Sequence, residues 1–428
     1  MDCVGTIVEF NPLHNGHVEH LHLTRALAKK EKIIAVTSGN FVQRGEPALC
    51  DKWLRTRMAL LAGVDIVIEI PVPYVISGAD YFARAGVGIL AATGVVGALS
   101  FGSECGDITA IREAGRVLAE EPPAYKNVLR TRLDSGASFA AARGAALEAT
   151  LATRLSSTPE GLLTKPNNGL AMEYCKALHL LERAKSMKNG LDGGENRECF
   201  TAFSATGEAD SELFRYNPME VFTTHRKSGG PSATKIRTYV KECSHTEDIP
   251  SYVAEILSQA KKNGHIAVLD DFSDIFRFLL YSRDFDLGEG LENRFKNLCG
   301  EFTQISDLLA AVKTKRYTHT RLQRVVIQML LDITSDDMDF FEGNGGVQYI
   351  RVLGFRSESA DLLGAIVKNA TLPVITHGAA IDSILNGEHG NAAAKMLECD
   401  LRAGDIYRCA TRTVGGHRAE RAFPIVKV

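Results

Sequence analysis

The stretch CVGTIVEFNPLHNGHVEH, Cys3–His20, decides the reading of the fold. Cys3–Glu9 is a short run rich in β-branched residues, the composition of a strand. A polar, glycine-bearing turn then leads into a helical stretch from about Gly16 to Lys30. Strand, turn and helix in that order open a Rossmann-like unit. Where such a strand hands over to its helix, free backbone N–H groups and the positive end of the helix dipole face an incoming phosphate. Gly16 leaves no Cβ in the way of a close backbone approach. His14 and His17 add two imidazoles able to donate hydrogen bonds to phosphate oxygens. Such donors matter most in the transition state of attack at an α-phosphate, where negative charge concentrates.

Outward from this unit the alternation continues. Ile33–Thr37 reads as a strand, followed by the loop SGNFVQRGEPA and a helix over Trp53–Ala62. Asp65–Ile70 and Leu99–Phe101 supply further strands, so a parallel sheet with crossover helices is expected. Residues 105–180 read mostly as helix, broken at Pro122–Pro123 and Pro159, and a Gly/Asn/Glu-rich surface insertion follows at about 188–217. Met219–Thr224 reads as a late strand, and PSATKIRTYVKE as a turn opening a helix. Amphipathic helices come next, among them Glu292–Leu298, Gln304–Val312 and Thr318–Thr334. From Gly346 a small α/β piece has strands at Tyr349–Gly354 and Leu372–Thr376 around a helical Ser359–Asn369. The expected organisation is an α/β parallel-sheet domain over 1–243, a helical domain over 244–345 and a small α/β region over 346–428.

Composition excludes several function classes. The 428 residues carry 49 Lys+Arg against 52 Asp+Glu, a formal net charge of −3, which rules out a globally basic nucleic-acid coat. The uncharged stretch Ala85–Ser103 holds Gly86, Gly88, Gly94, Gly97 and Gly102, so it reads as a buried helix, a turn and a strand rather than a membrane span. Asp2 and the absence of a basic run before the first apolar residues argue against a signal peptide, and a cytoplasmic location is expected. Nine cysteines with no C-x-x-C pair form neither a disulfide framework nor a zinc site.

The HNGH string behind the first strand resembles the nucleotidyltransferase superfamily that includes class I aminoacyl-tRNA synthetases. Longer strings narrow the likeness: VEFNPLHNGH, SGNFVQRGEPA, DKWLRTRMALLAGVDIVIEIP, FGSE at Phe101–Glu104, PNN at Pro166–Asn168, SATKIR at Ser232–Arg237, VKTKRYTHTRLQR at Val312–Arg324 and YIRVLGF at Tyr349–Phe355. Together they are similar to the tRNA(Met) cytidine acetate ligase family, and they span both ends of the chain. The resemblance implies a Rossmann-like nucleotidyltransferase domain and a two-step reaction. ATP and acetate give acetyl-adenylate and pyrophosphate, and the wobble cytidine of elongator tRNA(Met) then takes the acetyl group.

It also implies site residues. His14 and His17 would act on the phosphates, within an ATP wrap of Ile7, Val8, Glu9, Phe10, Asn11, Pro12, Leu13, Asn15, Gly16 and His20. Gly102 and either Asn167 or Asn168 would contact the nucleotide. Arg226, closing the strand in MEVFTTHRKSGG, would do so too, with Arg197 as the alternative, because the chain departs from the family pattern between Met187 and Pro218. Ser232, Thr234 and Arg237 would form a second anion site at a helix start. Mg2+ is expected with ATP, whose phosphates need charge neutralisation, although no carboxylate cluster marks a metal cage.

RNA binding by so nearly neutral a chain would rest on local clusters. Arg226, Lys227, Lys235, Arg237 and Lys241 form one without an acidic residue, and Lys313, Lys315, Arg316, Arg321 and Arg324 form another. Tyr317 and His319 offer flat side chains for stacking on an unpaired base. Two other readings compete with the ligase: adenylyl transfer to a small phosphorylated acceptor, and a tRNA-binding protein without catalysis.

Overall fold

The computed structural model describes residues 3–188, 218–226, 233–242, 247–285, 290–314, 317–411 and 417–428. Runs of Val and Ile buried on both faces build the sheet, the pattern of strands covered by helices on either side. The strands are β1 (Cys3–Val8), β2 (Lys32–Ser38), β3 (Phe41–Val42), β4 (Glu46–Pro47), β5 (Ile66–Ile70), β6 (Val96–Ser103), β7 (Glu220–His225), β8 (Ile350–Phe355), β9 (Val374–Ile375) and β10 (Val426–Lys427). The main sheet runs β10-β8-β5-β2-β1-β6-β7, with β9 on β8, while β3 and β4 form a separate antiparallel hairpin. Neighbours from β5 to β7 are parallel. The chain moves from β1 to β2 on one side and later places β6 on the other. A crevice therefore opens at the carboxyl ends of β1 and β6, where open α/β sheets bind ligands.

The helix Ala79–Ala92 lies close over β1 because glycines allow it. A Cβ on Gly86 would fall 2.8 Å from Ile7 Cδ1, and one on Gly5 would fall 2.6 Å from Leu90 Cδ2. Gly94, at φ +69°, turns the chain into β6, so Ala85–Ser103 is helix, turn and strand, as its glycines suggest. β6 extends beyond the expected Leu99–Phe101 at both ends. Among the described residues no helix is long and apolar enough to cross a membrane. The following helices are Ile108–Glu120, Pro123–Asp134, Phe139–Leu151 and Pro166–Lys188. The expected insertion beyond Lys188 lies outside the described residues.

β8 changes the expected organisation. It pairs antiparallel with β5, Ile68 opposite Val352 and Glu69 opposite Arg351, and β10 adds to its far side. The sheet thus crosses residue 346, where a separate C-terminal region was expected to begin. The helical segment is no more detached: Phe272, Leu309 and Leu330 share one continuous apolar core with Ile7, Ile34 and Ile68.

A buried charge cluster fixes this closure. Lys52, 1% exposed, donates to both carboxylate oxygens of Glu69 at 2.9 Å and pairs with Glu420. Arg351 reaches Glu69 and Glu420, each at 3.2 Å, and Arg408 reaches Glu420 at 3.1 Å. Burial alone would raise the Glu420 carboxyl, but Lys52 and Arg351 hold it down at about 2. Removing one partner of a buried ion network strands the others and costs about 3–5 kcal/mol. Glu420→Gln is therefore expected to lower unfolding stability by that order in denaturant titration. A loss under about 1 kcal/mol would contradict this role.

Candidate active site

The carboxyl end of β1 is held from below before it reaches the helix. The buried Arg55 guanidinium donates to the carbonyls of Glu9 and Gly39, to Ser38 Oγ at 3.1 Å and to Thr37 Oγ1 at 3.3 Å. Glu9 Oε1 accepts from the Gln43 N–H at 2.8 Å, and Asn11 Oδ1 accepts from the Leu49 N–H at 2.7 Å. Phe10 sits at φ +45°, a conformation that bulky residues rarely take, and these anchors on either side over-determine it.

His14 then takes the N-cap position of the helix Asn15–Ala28, with extended backbone. Its ring stacks on that of His17 at a centroid distance of 3.6 Å and an angle of 20°, and its backbone N–H donates to His17 Nδ1 at 3.3 Å. His14 Nδ1 is buried and has no hydrogen-bond partner among the described residues. Phe10 closes the far side of His17, with ring centroids 5.0 Å apart. One turn on, His20 is spanned between strands: Nε2 meets Thr6 Oγ1 at 3.2 Å and Nδ1 meets Thr224 Oγ1 at 2.7 Å. Burial, and then the charge of Arg226, lower His14 and His20 to about 4. Burial, then His14 and Arg226, bring His17 well below its ordinary value. Burial and the charge of Arg226 thus favour the neutral form of all three rings at pH 7, and two of them, His14 and His17, are stacked.

Arg226 is placed by the ends of β6 and β7. Its N–H donates to the Ser103 carbonyl at 2.8 Å, and a Cβ on Gly102 would come within 3.3 Å of its stem. Its guanidinium donates to Asn167 Oδ1 at 3.1 Å. Asn167 Nδ2 donates to Glu104 Oε1 at 2.6 Å, and the Asn168 N–H donates to Glu104 Oε2 at 2.9 Å. Asn168 is fully buried and spent: Oδ1 accepts from the N–H groups of Glu104 and Cys105, and Nδ2 donates to the Gly161 carbonyl. The two asparagines, indistinguishable in sequence, thus differ in kind. Asn167 faces the crevice beside Arg226, and Asn168 ties the helix start to β6.

Other candidates are placed less uniformly. The side chains of Ile7 and Leu13 belong to the core, so only their backbone borders the crevice. Asn15 turns away, its N–H to the Asp248 carbonyl and its amide to the Glu247 carbonyl, both at 2.8 Å. Arg237 donates to the Asn11 carbonyl at 3.0 Å and lies 3.3 Å from Thr234 Oγ1, which brings the helix Ala233–Glu242 to the β1 turn. Ser232, Arg197, Lys315 and Arg316 lie outside the described residues. In the second basic cluster Lys313 and Arg321 are exposed and Arg324 is half-buried. Tyr317 is buried, with Arg321 over its ring at 5.1 Å, so it is not the exposed stacking platform expected of it. Arg55, Glu104 and Thr224 went unread as site supports. Their signals lay in strings already singled out: FGSE contains Glu104, DKWLRTRMALLAGVDIVIEIP contains Arg55 and MEVFTTHRKSGG contains Thr224.

Comparison with known proteins places this geometry. The HIGH Nucleotidyl Transferase family matches residues 1–188 and 219–421. The tRNA(Met) cytidine acetate ligase of Thermoanaerobacter sp. (strain X514) is 36% identical over 438 residues, covering 100% of both chains. That of Caldanaerobacter subterraneus subsp. tengcongensis is 37% identical over 436 residues, again covering 100% of both. The crystal structure of Thermotoga maritima TmcAL bound with alpha-thio ATP superposes with a TM-score of 0.84 at 29% identity, covering 100% of both chains. With full-length relatives above 30% identity and a stacked histidine pair at the β1–β6 crevice, this chain belongs to the tRNA(Met) cytidine acetate ligase family of HIGH nucleotidyl transferases.

Proposed function

We propose that this chain is an ATP-dependent ligase that activates acetate as acetyl-adenylate and acetylates the wobble cytidine of elongator tRNA(Met). The observation that carries the reading is the His14–His17 stack, kept neutral by burial and by the charge of Arg226, at the crevice where a helix N-terminus faces the ligand. An acetate oxygen attacks the α-phosphorus and the bond to pyrophosphate breaks. The imidazole N–H groups of His14 and His17 donate to the phosphate oxygens as charge builds there, and Arg226 offsets it. Neutral rings suit this task, since they donate without adding two further cations beside Arg226. The cytidine exocyclic amine then attacks the acetyl carbonyl, the C–O bond to the phosphate breaks, AMP departs and the amine loses a proton.

Gly102, Asn167 and the backbone of Ile7–His20 line the nucleotide in this reading, Thr234 and Arg237 offer a second anion contact with Ser232, and Lys313, Lys315, Arg316, Arg321 and Arg324 draw the tRNA. Asn168 and His20 serve through other residues. Mg2+ is expected to arrive on the nucleotide phosphates, as such ions usually do. Among the described residues no group of three or more His, Cys, Asp or Glu side chains is placed to hold a metal ion, and no step is assigned to one.

His17→Ala is expected to keep the fold and to reduce acetate-dependent ATP–pyrophosphate exchange at least a hundredfold; wild-type exchange in the variant would sink the phosphate role. The histidines also set a pH signature. Their folded-state values lie below the ordinary 6.5, so the stability they contribute is present above that pH and is lost as pH falls through about 4. Replacing Arg226 by Gln is expected to move the His14 and His20 titrations, followed by NMR, upward toward 6.5. Unmoved titrations would separate Arg226 from the histidines.

A further inference from the structure

The loop SGNFVQRGEPA, Ser38–Ala48, contains the hairpin of β3 and β4, and the Gln43 N–H in its turn donates to Glu9 Oε1 at 2.8 Å. The turn residue Gly45, at φ +78°, is pressed against the helix His319–Leu331: a Cβ there would lie 2.3 Å from the Arg324 nitrogen and 2.6 Å from the Gln323 carbonyl carbon. Glu46 ties three segments together. Oε1 accepts from Gln323 Nε2 at 3.1 Å, and Oε2 accepts from Arg237 at 3.4 Å, while Arg237 also donates to the Asn11 carbonyl. The hairpin is thus the physical bridge between the basic cluster at the crevice and the basic cluster on the helical segment, which sequence separates widely.

Arg44 stands at the tip of that bridge. Its side chain is exposed, and among the described residues no salt bridge holds it. It lies near enough to the end of β1 that its charge, with that of Arg55, opposes the burial-driven rise of the Glu9 carboxyl. Arg324 abuts the turn on one side, next to Arg321, and Arg237 flanks it on the other. The Glu46 carboxylate beside them is already engaged by Arg237 and Gln323. An uncommitted guanidinium between two cationic segments, at the rim of a crevice, matches a phosphate of an extended polynucleotide better than a third contact to a mononucleotide.

We propose that Arg44 binds a backbone phosphate of the RNA beside the acceptor base, at the passage from the helical segment to the crevice. The hairpin then guides the strand that delivers the base and takes no part in forming the adenylate. This inference rests on the ligase reading, and the two fail in different measurements. Acetate-dependent ATP–pyrophosphate exchange reports the first step without RNA, and direct tRNA binding across a salt series reports Arg44 even if no acetyl group is transferred. Arg44→Gln is expected to leave exchange unchanged, to weaken tRNA binding roughly tenfold and to make the salt slope shallower by about 0.7–0.9, the yield of one phosphate contact. Arg44→Lys, which keeps the charge, is expected to restore the slope. Exchange that falls with Arg44→Gln, or binding and slope that match wild type, would overturn the proposal. Wild-type protein that binds tRNA with the expected Arg44 dependence but transfers no acetyl group would overturn the ligase reading alone.

Discussion

A lysine ammonium that is 1% exposed must be matched by carboxylates or not be charged at all, and Lys52 is matched from opposite ends of the chain. Glu69 comes from β5, Glu420 from the last helix, and Arg351 on β8 completes the neutralisation. Satisfying this cluster brings the C-terminal segment back to the sheet, sets β8 antiparallel beside β5 and closes the edge with β10. Close by, Gly39 makes room for the Glu69 carboxylate, since a Cβ there would lie 2.2 Å from Oε1. Arg55, from the same helix as Lys52, carries the constraint to the ends of β1 and β2. The position of His14 and His17 is thus supported by residues hundreds of positions downstream.

The crevice itself follows a second constraint. Three imidazoles and an arginine share it, and burial together with Arg226 keeps the rings neutral. His20 is engaged at both ring nitrogens, but His14 Nδ1 finds no partner among the described residues. A polyanion supplies what is missing: acceptors for the ring N–H groups and counter-charge for Arg226. The same economy appears in Glu104, whose carboxylate holds Asn167 and the Asn168 N–H so that Asn167 can hold Arg226.

Local pattern carried much of this. Cys3–His20 announced strand, turn and helix because β-branched residues, a turn and a cap follow one another within eighteen positions, and the glycines of Ala85–Ser103 marked a helix, a turn and a strand. The antiparallel placement of β8 was not legible, because strand composition says nothing about which edge a strand joins. The burial of Lys52, Arg55, Glu69 and Glu420 was not legible either, since a buried ion is recognisable only by partners that sequence leaves remote. Asn167 and Asn168 could not be told apart for a related reason: their difference lies in what each touches. Tyr317 misled because an aromatic in a basic run looks the same whether it faces solvent or the core. Recognition of the family strings supplied chemistry that periodicity alone does not contain.

The central claim is that the crevice makes an acyl-adenylate and that the acyl group ends on an RNA base. Incubating the protein with ATP, carboxyl-labelled acetate and total tRNA, then digesting the RNA to nucleosides and locating the label, tests it most directly. The account predicts label on cytidine of a single tRNA species, with AMP and pyrophosphate released in step with it. Label absent from the RNA, or an adenylate retained on the final product, would contradict it.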